Sequence, residues 1–190
     1  MWRRILPLVM LALPVVAPRP VAGQEMEEMA AMMEAGTPGE MHELLGKTVG
    51  TWNVTVKVYM DPSAPPMEMT GTATVEMIMD GRFVAEHVEG AMMDMPFRGL
   101  GITGYNNTAE RFESTWLDNM ATTLYTYTGM LDGEKIVLTG SYQDPMSGES
   151  VTQRSVLTFI DDDHYMVQNY ETRGGQEALG MEIHYIRSGM

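Results

Sequence analysis

A few polar residues could perform acid–base chemistry, and they are spread over several segments of the chain. Such a site needs a base, a nucleophile and an orienting group, and the candidates are Glu86, His87, Arg98, Asp118 and Arg154. Residues 86 and 87 are neighbours on a predicted strand, so their side chains point to opposite faces and at most one lines a lumen. The sequence contains no Gly-x-Ser-x-Gly elbow, no His-Glu-x-x-His pair and no cysteine. We therefore keep catalysis as an alternative and favour a protein that is not an enzyme.

A more specific cluster lies at the end of a predicted strand. Trp116, Asp118 and Asn119 combine an aromatic ring, a carboxylate and an amide, and ligand sites combine apolar walls with a few placed polar groups. The structural alternative is that Trp116 belongs to the core and that Asp118 and Asn119 form a hairpin turn. The candidate ligand-binding residues are Trp116, Asp118, Asn119, Tyr127, His87, Arg98 and Arg154.

Methionine is unusually frequent, with 21 residues in the chain, and Met92, Met93 and Met95 form one cluster. Thioethers are soft ligands that suit copper(I), so a copper site is one alternative. The cluster itself contains no His or Cys, and methionine also serves as adaptable packing. We therefore predict that these side chains pack and bind no metal.

The stretch Gly99 to Gly104 matches the dinucleotide-binding string G-x-G-x-x-G. That motif functions where a strand ends and a helix begins, whereas both flanks here have strand patterns. Glycines inside a strand more often mark a bend or close packing. We therefore predict no cofactor at this stretch.

The start of the chain has the layout of a secretory signal peptide. Arg3 and Arg4 precede an apolar run over 5–17, and small residues follow up to Gly23. The run is shorter than the about 20 residues that a membrane span requires. We predict cleavage near Gly23, no transmembrane segment after cleavage, and a periplasmic or secreted mature protein.

The chain is acidic, with 12 Lys and Arg, 26 Asp and Glu, and a formal net charge of −14. Removal of residues 1–23 deletes three arginines and no acidic residue, which changes the formal charge from −14 to −17. Nucleic-acid binding requires a basic surface, so we predict no nucleic-acid partner. Without cysteine there is no disulfide, and a packed core has to stabilise the fold.

Two short helices are predicted before the strands. Met26, Met29 and Met33 recur at helical spacing, which predicts a helix over 25–35. The sequence Thr37-Pro38-Gly39-Glu40 has the form of a capping box with Thr37 as the N-cap, so we expect a second helix that ends near residue 45.

From Gly50 the apolar residues alternate with period two, and this pattern recurs in about ten segments separated by turn sequences such as Asp80-Gly81. No connection is long enough for the crossover helix of a parallel sheet. Closure removes the exposed edges of a long meander, so the pattern predicts an antiparallel up-and-down barrel, with a sandwich as the alternative. The predicted divisions are a signal peptide over 1–23, a helical segment over 24–46 and an all-β barrel domain over 47–190.

Gly50-Thr51-Trp52, at the start of the first strand, resembles the Gly-x-Trp signature of lipocalin-like (calycin) barrels. In that superfamily a basic residue near the end of the barrel packs over the tryptophan in a cation–π contact. The resemblance implies that Gly50, Trp52 and Arg187 close the barrel. Some calycin-type barrels bind haem through one histidine, for which His184 would be the candidate, but haem also needs a roomy apolar pocket.

The wider pattern is similar to a bacterial family of unknown function, family 1579. This resemblance covers most of the chain after the predicted cleavage site and implies a barrel without an established activity. The matching stretches are His42 to Leu45, Gly50 to Trp52, Met60 to Pro62, Asp80 to Phe83, Met92 to Phe97, Thr103 to Tyr105, Ser114 to Met120 and Asp144 to Gly148.

Together these patterns predict a barrel that reversibly binds a small apolar or amphipathic molecule in the cell envelope. Small closed barrels are either filled by side chains or hold one ligand. If large side chains fill the lumen, a structural or protein-interaction module becomes the better interpretation, and an enzyme would need a polar lumen with a buried carboxylate or histidine of shifted pKa. The large residues in question are Phe97, Phe112, Trp116, Tyr127 and Leu138.

Overall fold

The computed structural model describes residues 22–60, 64–93 and 95–189. Helix α1 spans Ala22–Ala35 and lies in a compact unit that ends at Ala35. The second unit, Gly36–Met190, contains helix α2, Glu40–Gly46, and all the strands. Most of the predicted signal peptide, 1–23, lies outside the described residues. Within them, no helix has both the length and the apolar character needed to span a membrane.

Ten described strands form one closed barrel in which every neighbouring pair is antiparallel and the last strand pairs with the first. The predicted up-and-down barrel is therefore confirmed, and the sandwich alternative is wrong. The short turns allow this order because each strand pairs with the next one along the chain. The strands are β1 Gly50–Val58, β2 Met67–Ile78, β3 Phe83–Met92, β4 Met95–Asn106, β5 Arg111–Asp118, β6 Tyr125–Asp132, β7 Lys135–Gln143, β8 Ser150–Asp161, β9 His164–Arg173 and β10 Gln176–Arg187.

Helix α2 begins later than the capping pattern predicts. Gly39, and not Thr37, occupies the N-cap position, and its N–H donates to Nδ1 of His42 at 3.0 Å. The His42 ring also meets Tyr105 edge-on, and Leu45 is buried in the barrel core. The imidazole therefore serves as the capping acceptor that the sequence pattern assigns to Glu40.

Arg187 and Trp52 join the two ends of the barrel sequence. The guanidinium carbon of Arg187 lies 4.1 Å from the centroid of the buried Trp52 ring. Arg187 also donates to the Val49 carbonyl at 3.1 Å, to the Asp162 carbonyl at 3.0 Å and to the Asp163 carboxylate at 2.9 Å. This end of the barrel, beside α2, is therefore closed by a hydrogen-bonded cation–π contact.

The backbone conformation and the surroundings of Gly50 explain why a glycine stands two residues before Trp52. Its φ is +146°, a region that favours glycine, and a Cβ at this position would overlap the guanidinium of Arg187. The absence of a side chain at Gly50 thus gives Arg187 access to the Trp52 ring.

An aromatic layer covers the inner side of this closure. Tyr165 meets Trp52 edge-on with centroids 4.7 Å apart, and it stacks on Tyr185 at 4.2 Å. These rings pack with Phe112 and Leu45 in the main buried cluster. Ring burial at this density accounts for much of the core of a barrel that has no disulfide.

We expect Arg187→Ala to lower the free energy of unfolding by about 2–4 kcal/mol, because it removes several charge-assisted hydrogen bonds and the cation–π contact. Arg111→Ala is the control, since it removes only an exposed ion pair with Glu113 and should cost less than about 1 kcal/mol. Urea unfolding measures both values. Equal losses in the two variants would contradict a closing role for Arg187.

Candidate functional site

The barrel encloses a cavity of about 590 Å³ to which all ten strands contribute lining residues. It extends from the aromatic layer toward the end of the barrel that lies opposite α2. We call this end the mouth. Its apolar lining includes Val56, Val88, Leu138, Val167 and Ile183. The inner faces of several strands therefore carry β-branched side chains that leave space at the barrel axis.

Glu86 and two tyrosines form the floor of the cavity. The carboxyl of Glu86 is hydrogen-bonded to Tyr185, and Tyr165 stacks on the same tyrosine. Glu86 is half-buried because part of its side chain lines the cavity, but its Oε1 atom is buried and has no hydrogen-bond partner among the described residues. A buried polar atom without a partner is uncommon in native proteins and costs free energy.

Burial changes the acidity of all three floor residues. Desolvation raises the pKa of Glu86 above its ordinary value of 4.5, and the hydrogen bond from Tyr185 only partly opposes this shift. Burial, followed by the nearby charge of Glu86, raises the pKa of both Tyr165 and Tyr185. Burial at the floor therefore makes the ionised form of the Glu86 carboxyl more costly than it is in water.

Small hydroxyl side chains occupy the middle of the cavity. Thr103 and Ser114 line it on adjacent strands, and their hydroxyl oxygens are 2.7 Å apart. Ser155 also lines it, beside Leu138 on the neighbouring strand. These hydroxyls provide further hydrogen-bonding capacity between the floor and the mouth.

Trp116 forms one side of the mouth. Its indole stacks against Phe97 with centroids 6.5 Å apart, and its Nε1 donates to Asp118 Oδ2 at 3.0 Å. The other oxygen of Asp118 accepts from the backbone N–H groups of Met120 and Ala121. A Cβ at Gly99 would overlap the indole, so this glycine of the dinucleotide-like string provides room for Trp116.

A hydrogen-bonded group of side chains forms the other side of the mouth. Tyr142 donates to Glu171 at 2.9 Å, and Arg173 pairs with both Glu171 and Asp144. Burial, together with the Glu171 carboxylate, raises the pKa of Tyr142, and burial raises the pKa of Tyr127 to about 12. Both phenols are therefore neutral hydrogen-bonding groups at neutral pH.

Of the residues predicted to bind a ligand, Trp116, Asp118 and Tyr127 line the cavity. Asn119 lies in the exposed turn after β5, where its side chain accepts from the Arg98 N–H at 2.7 Å and donates to the Pro96 carbonyl at 2.8 Å. It therefore connects two strand ends at the mouth.

His87, Arg98 and Arg154 do not join this group. His87 and Arg98 are exposed, and the alternation of their strands places them on the outer face. Arg154 pairs with Glu177 at 2.7 Å and covers the Tyr170 ring. The structure therefore separates the candidate acid–base residues between the lumen and the outer surface.

The candidate metal and haem residues are also separated. Met92 lines the cavity, whereas Met93 and Met95 are exposed. His184 lies on the outer face, hydrogen-bonded to His164 at 3.1 Å and to Glu182 at 2.9 Å. In the part of the chain that the structure describes, no three His, Cys, Asp or Glu side chains are grouped to hold a metal ion.

The sequence pattern indicates Glu86 as a possible catalytic group but includes His87 among the candidate binding residues. It also missed Tyr142, Tyr165, Tyr185 and Asn169. The one available signal was the spacing of Val84 and Val88, which share the face of Glu86 on β3. That signal is weak because the opposite face also carries apolar residues, Phe83 and Ala85.

The fold and the site define a closed ten-stranded antiparallel barrel with a large internal cavity. The chain belongs to the DUF1579 family, described as proteins of unknown function, whose sequence profile matches residues 37–187. No curated protein matches the chain in sequence.

Two solved structures have a similar fold. The S-type phycobiliprotein lyase CPES from Guillardia theta is 14% identical, with a TM-score of 0.55 over 80% of this chain and 94% of that one. Rv2717c from M. tuberculosis is 15% identical, with a TM-score of 0.52 over 80% of this chain and 100% of that one. At these identities the similarity concerns the fold alone.

We expect Glu86→Gln to stabilise the fold at neutral pH by about 1 kcal/mol or more, because it removes a carboxyl that is costly to ionise in place. Since the folded-state pKa of Glu86 is raised from 4.5, the folded state binds the proton more tightly than the unfolded state. The unfolding free energy of the parent protein should therefore decrease as pH rises from about 4.5 through the folded-state pKa. Below that window the advantage of the variant should shrink.

Glu76→Gln is the matched control, because Glu76 is exposed on the neighbouring strand β2. Urea unfolding at a series of pH values compares both variants with the parent protein. A stability difference for Glu86→Gln that does not change with pH would contradict the assigned environment of this carboxyl.

Proposed function

We propose that this protein reversibly binds one small apolar or amphipathic molecule inside its barrel. The observation that carries the proposal is the cavity of about 590 Å³. Cavities of about 300–1,000 Å³ are typical of small-molecule sites. An eight- to ten-stranded barrel of this kind can hold one ligand when its interior is not filled by side chains.

The large side chains that could have filled the lumen support the proposal by their positions. Phe112 is fully buried in the core cluster beside Tyr105. Phe97, Trp116, Tyr127 and Leu138 line the cavity instead of closing it. The alternative of a structural or protein-interaction module with a filled barrel therefore loses its main premise.

The distribution of polarity along the cavity favours an amphipathic ligand. Valine, leucine and isoleucine side chains, together with a few small hydroxyl groups, surround the middle, and the carboxyl and phenol groups are concentrated at the floor and at the mouth. Apolar burial supplies affinity, at about 25 cal/mol per Å² of buried apolar surface, and the few polar groups supply orientation. The similar barrel named as a phycobiliprotein lyase adds a precedent for small-molecule chemistry in this fold.

An enzyme remains the second candidate because one observation favours it. Glu86 is a lumen carboxyl with a raised pKa, which is the property of a general acid or base. Native mass spectrometry of the purified protein, compared with the denatured sample, separates the two candidates. A carrier should release the same molecule that it was loaded with, whereas an enzyme should release an altered one.

We also propose that the protein functions in the cell envelope, on the strength of the signal-peptide pattern over 1–23. Expression of the full chain in a bacterium should yield a processed protein whose N-terminus lies near Gln24, and Arg3→Glu with Arg4→Glu should leave the precursor in the cytoplasm. Intact-mass measurement of the two cell fractions tests this expectation. An unprocessed chain found only in the cytoplasm would contradict export.

We expect Leu138→Trp to weaken binding of the neutral apolar dye Nile red by about tenfold or more, because the indole would occupy cavity volume at the barrel axis. Thr139→Trp is the control, since residue 139 is exposed on the opposite face of the same strand. Fluorescence titration gives both dissociation constants. Equal binding by the two variants, or no dye binding by the parent protein, would argue against a ligand in the lumen.

A further inference from the structure

The strongest unexplained feature of the molecule is the unpaired acceptor at the floor of the cavity. Glu86 Oε1 is buried without a hydrogen-bond partner among the described residues, although Tyr185 bonds to the same carboxyl. The side chain lines the cavity, so a molecule that reaches the floor would meet it. An unsatisfied buried polar group is costly, and a native protein retains one where something else completes it.

A second unpaired acceptor lies farther toward the mouth. Asn169 Oδ1 is also buried without a hydrogen-bond partner in the described part of the chain, and Asn169 lines the same cavity. Its amide nitrogen lies 4.0 Å from the sulfur of Met181. Two unpaired oxygen acceptors in one cavity are complementary to a ligand that donates hydrogen bonds, and not to one that only accepts them.

The charged residues that line the cavity indicate which kind of hydrogen-bond donor a ligand would carry. Of the described residues that line the cavity, one is a cation, Arg173, and it is already paired with Asp144 and Glu171. Asp118 at the mouth accepts hydrogen bonds from Trp116 and from two backbone N–H groups. The lining carboxyls are Glu86, Glu89, Asp118, Asp144 and Glu171.

This surplus of carboxylates, in a chain whose formal net charge is −14, favours cationic ligands and repels anionic ones. An anionic fatty acid would place its carboxylate beside Glu86 or among the mouth carboxylates, and it would find no free cation in the described lining. An ammonium group has three donors and no acceptor, which matches an unpaired carboxylate oxygen. The lining therefore disfavours an amphiphile that ends in a carboxylate and favours one that ends in an ammonium group.

We propose that the ligand is an apolar molecule that ends in an amino group, and that this group is bound at the floor of the cavity by the free oxygen of Glu86. This inference rests on the proposed ligand-binding function and names the chemical class of the ligand. The apolar body lies between the valine, leucine and isoleucine side chains of the lumen, and the ammonium compensates the carboxylate that is otherwise costly to bury. Binding thus removes an uncompensated polar group from the floor.

Three ligands with the same ten-carbon chain test the proposal: decylamine, decan-1-ol and decanoate. Each is titrated at neutral pH, at monomeric concentrations, against protein loaded with Nile red. Decylamine should displace the dye at a concentration at least about tenfold lower than decan-1-ol, the factor expected from one charge-assisted hydrogen bond. Decanoate should be the weakest of the three.

Two variants that each remove one carboxylate show where the preference arises. Glu86→Gln should abolish the preference for decylamine, measured as the ratio of the decylamine and decan-1-ol affinities of that same variant. Glu76→Gln changes the net charge equally, outside the cavity on the exposed side of β2, and should retain the preference.

The outcomes separate this inference from the proposed function. If Nile red and decan-1-ol bind but decylamine has no advantage, or if decanoate binds best, the amine inference is wrong and the ligand-binding function stands. A preference for decylamine that survives Glu86→Gln would overturn the role of the floor carboxyl. If neither the dye nor any of the three compounds binds, the proposed function itself fails.

Discussion

The contact between Arg187 and Trp52 is the interaction on which the rest of the structure depends. It joins the last strand to the first, where a ten-stranded meander would otherwise have two free edges. The guanidinium is held by the carbonyls of Val49 and Asp162 and by the Asp163 carboxylate, so the cation is fully engaged on the closed side of the barrel. Because Trp52, the tyrosine layer and α2 fill the lumen at this end, the cavity that Glu86 lines lies in the remainder of the lumen.

The floor of that lumen combines rigidity with an unfavourable polar group. Tyr165 and Tyr185 stack at 4.2 Å and pack against the closing tryptophan, which restricts their motion. Glu86 is hydrogen-bonded to this layer by one contact and has one oxygen without a partner among the described residues. A purely structural barrel would be more stable with an apolar residue at this position. The proposed ligand recognition gives this carboxyl a role that stabilisation of the fold does not.

The mouth has the opposite character, since its polar groups are largely satisfied. Asp118 accepts from an indole and from two backbone N–H groups, and Arg173 joins two carboxylates beside Tyr142. Such networks orient side chains without leaving strong unpaired hydrogen-bonding groups. Trp116 and Phe97 add a stacked apolar surface next to them. In the proposed binding function, a ligand enters at the mouth and its polar end is recognised at the floor of the same cavity.

The sequence by itself determined the period-two alternation, the short turns and the glycine and tryptophan of the first strand, because these depend on residues close together in the chain. They were sufficient to predict an antiparallel up-and-down barrel of about ten strands. The tertiary structure decided which face of each strand is the lumen, since a shift of one residue exchanges every inward and outward side chain. On β3 both faces carry apolar residues, so only closure and pairing with β2 and β4 placed Glu86 inside and His87 outside. The volume of the cavity was likewise decided by tertiary structure, because it depends on side chains from all ten strands at once.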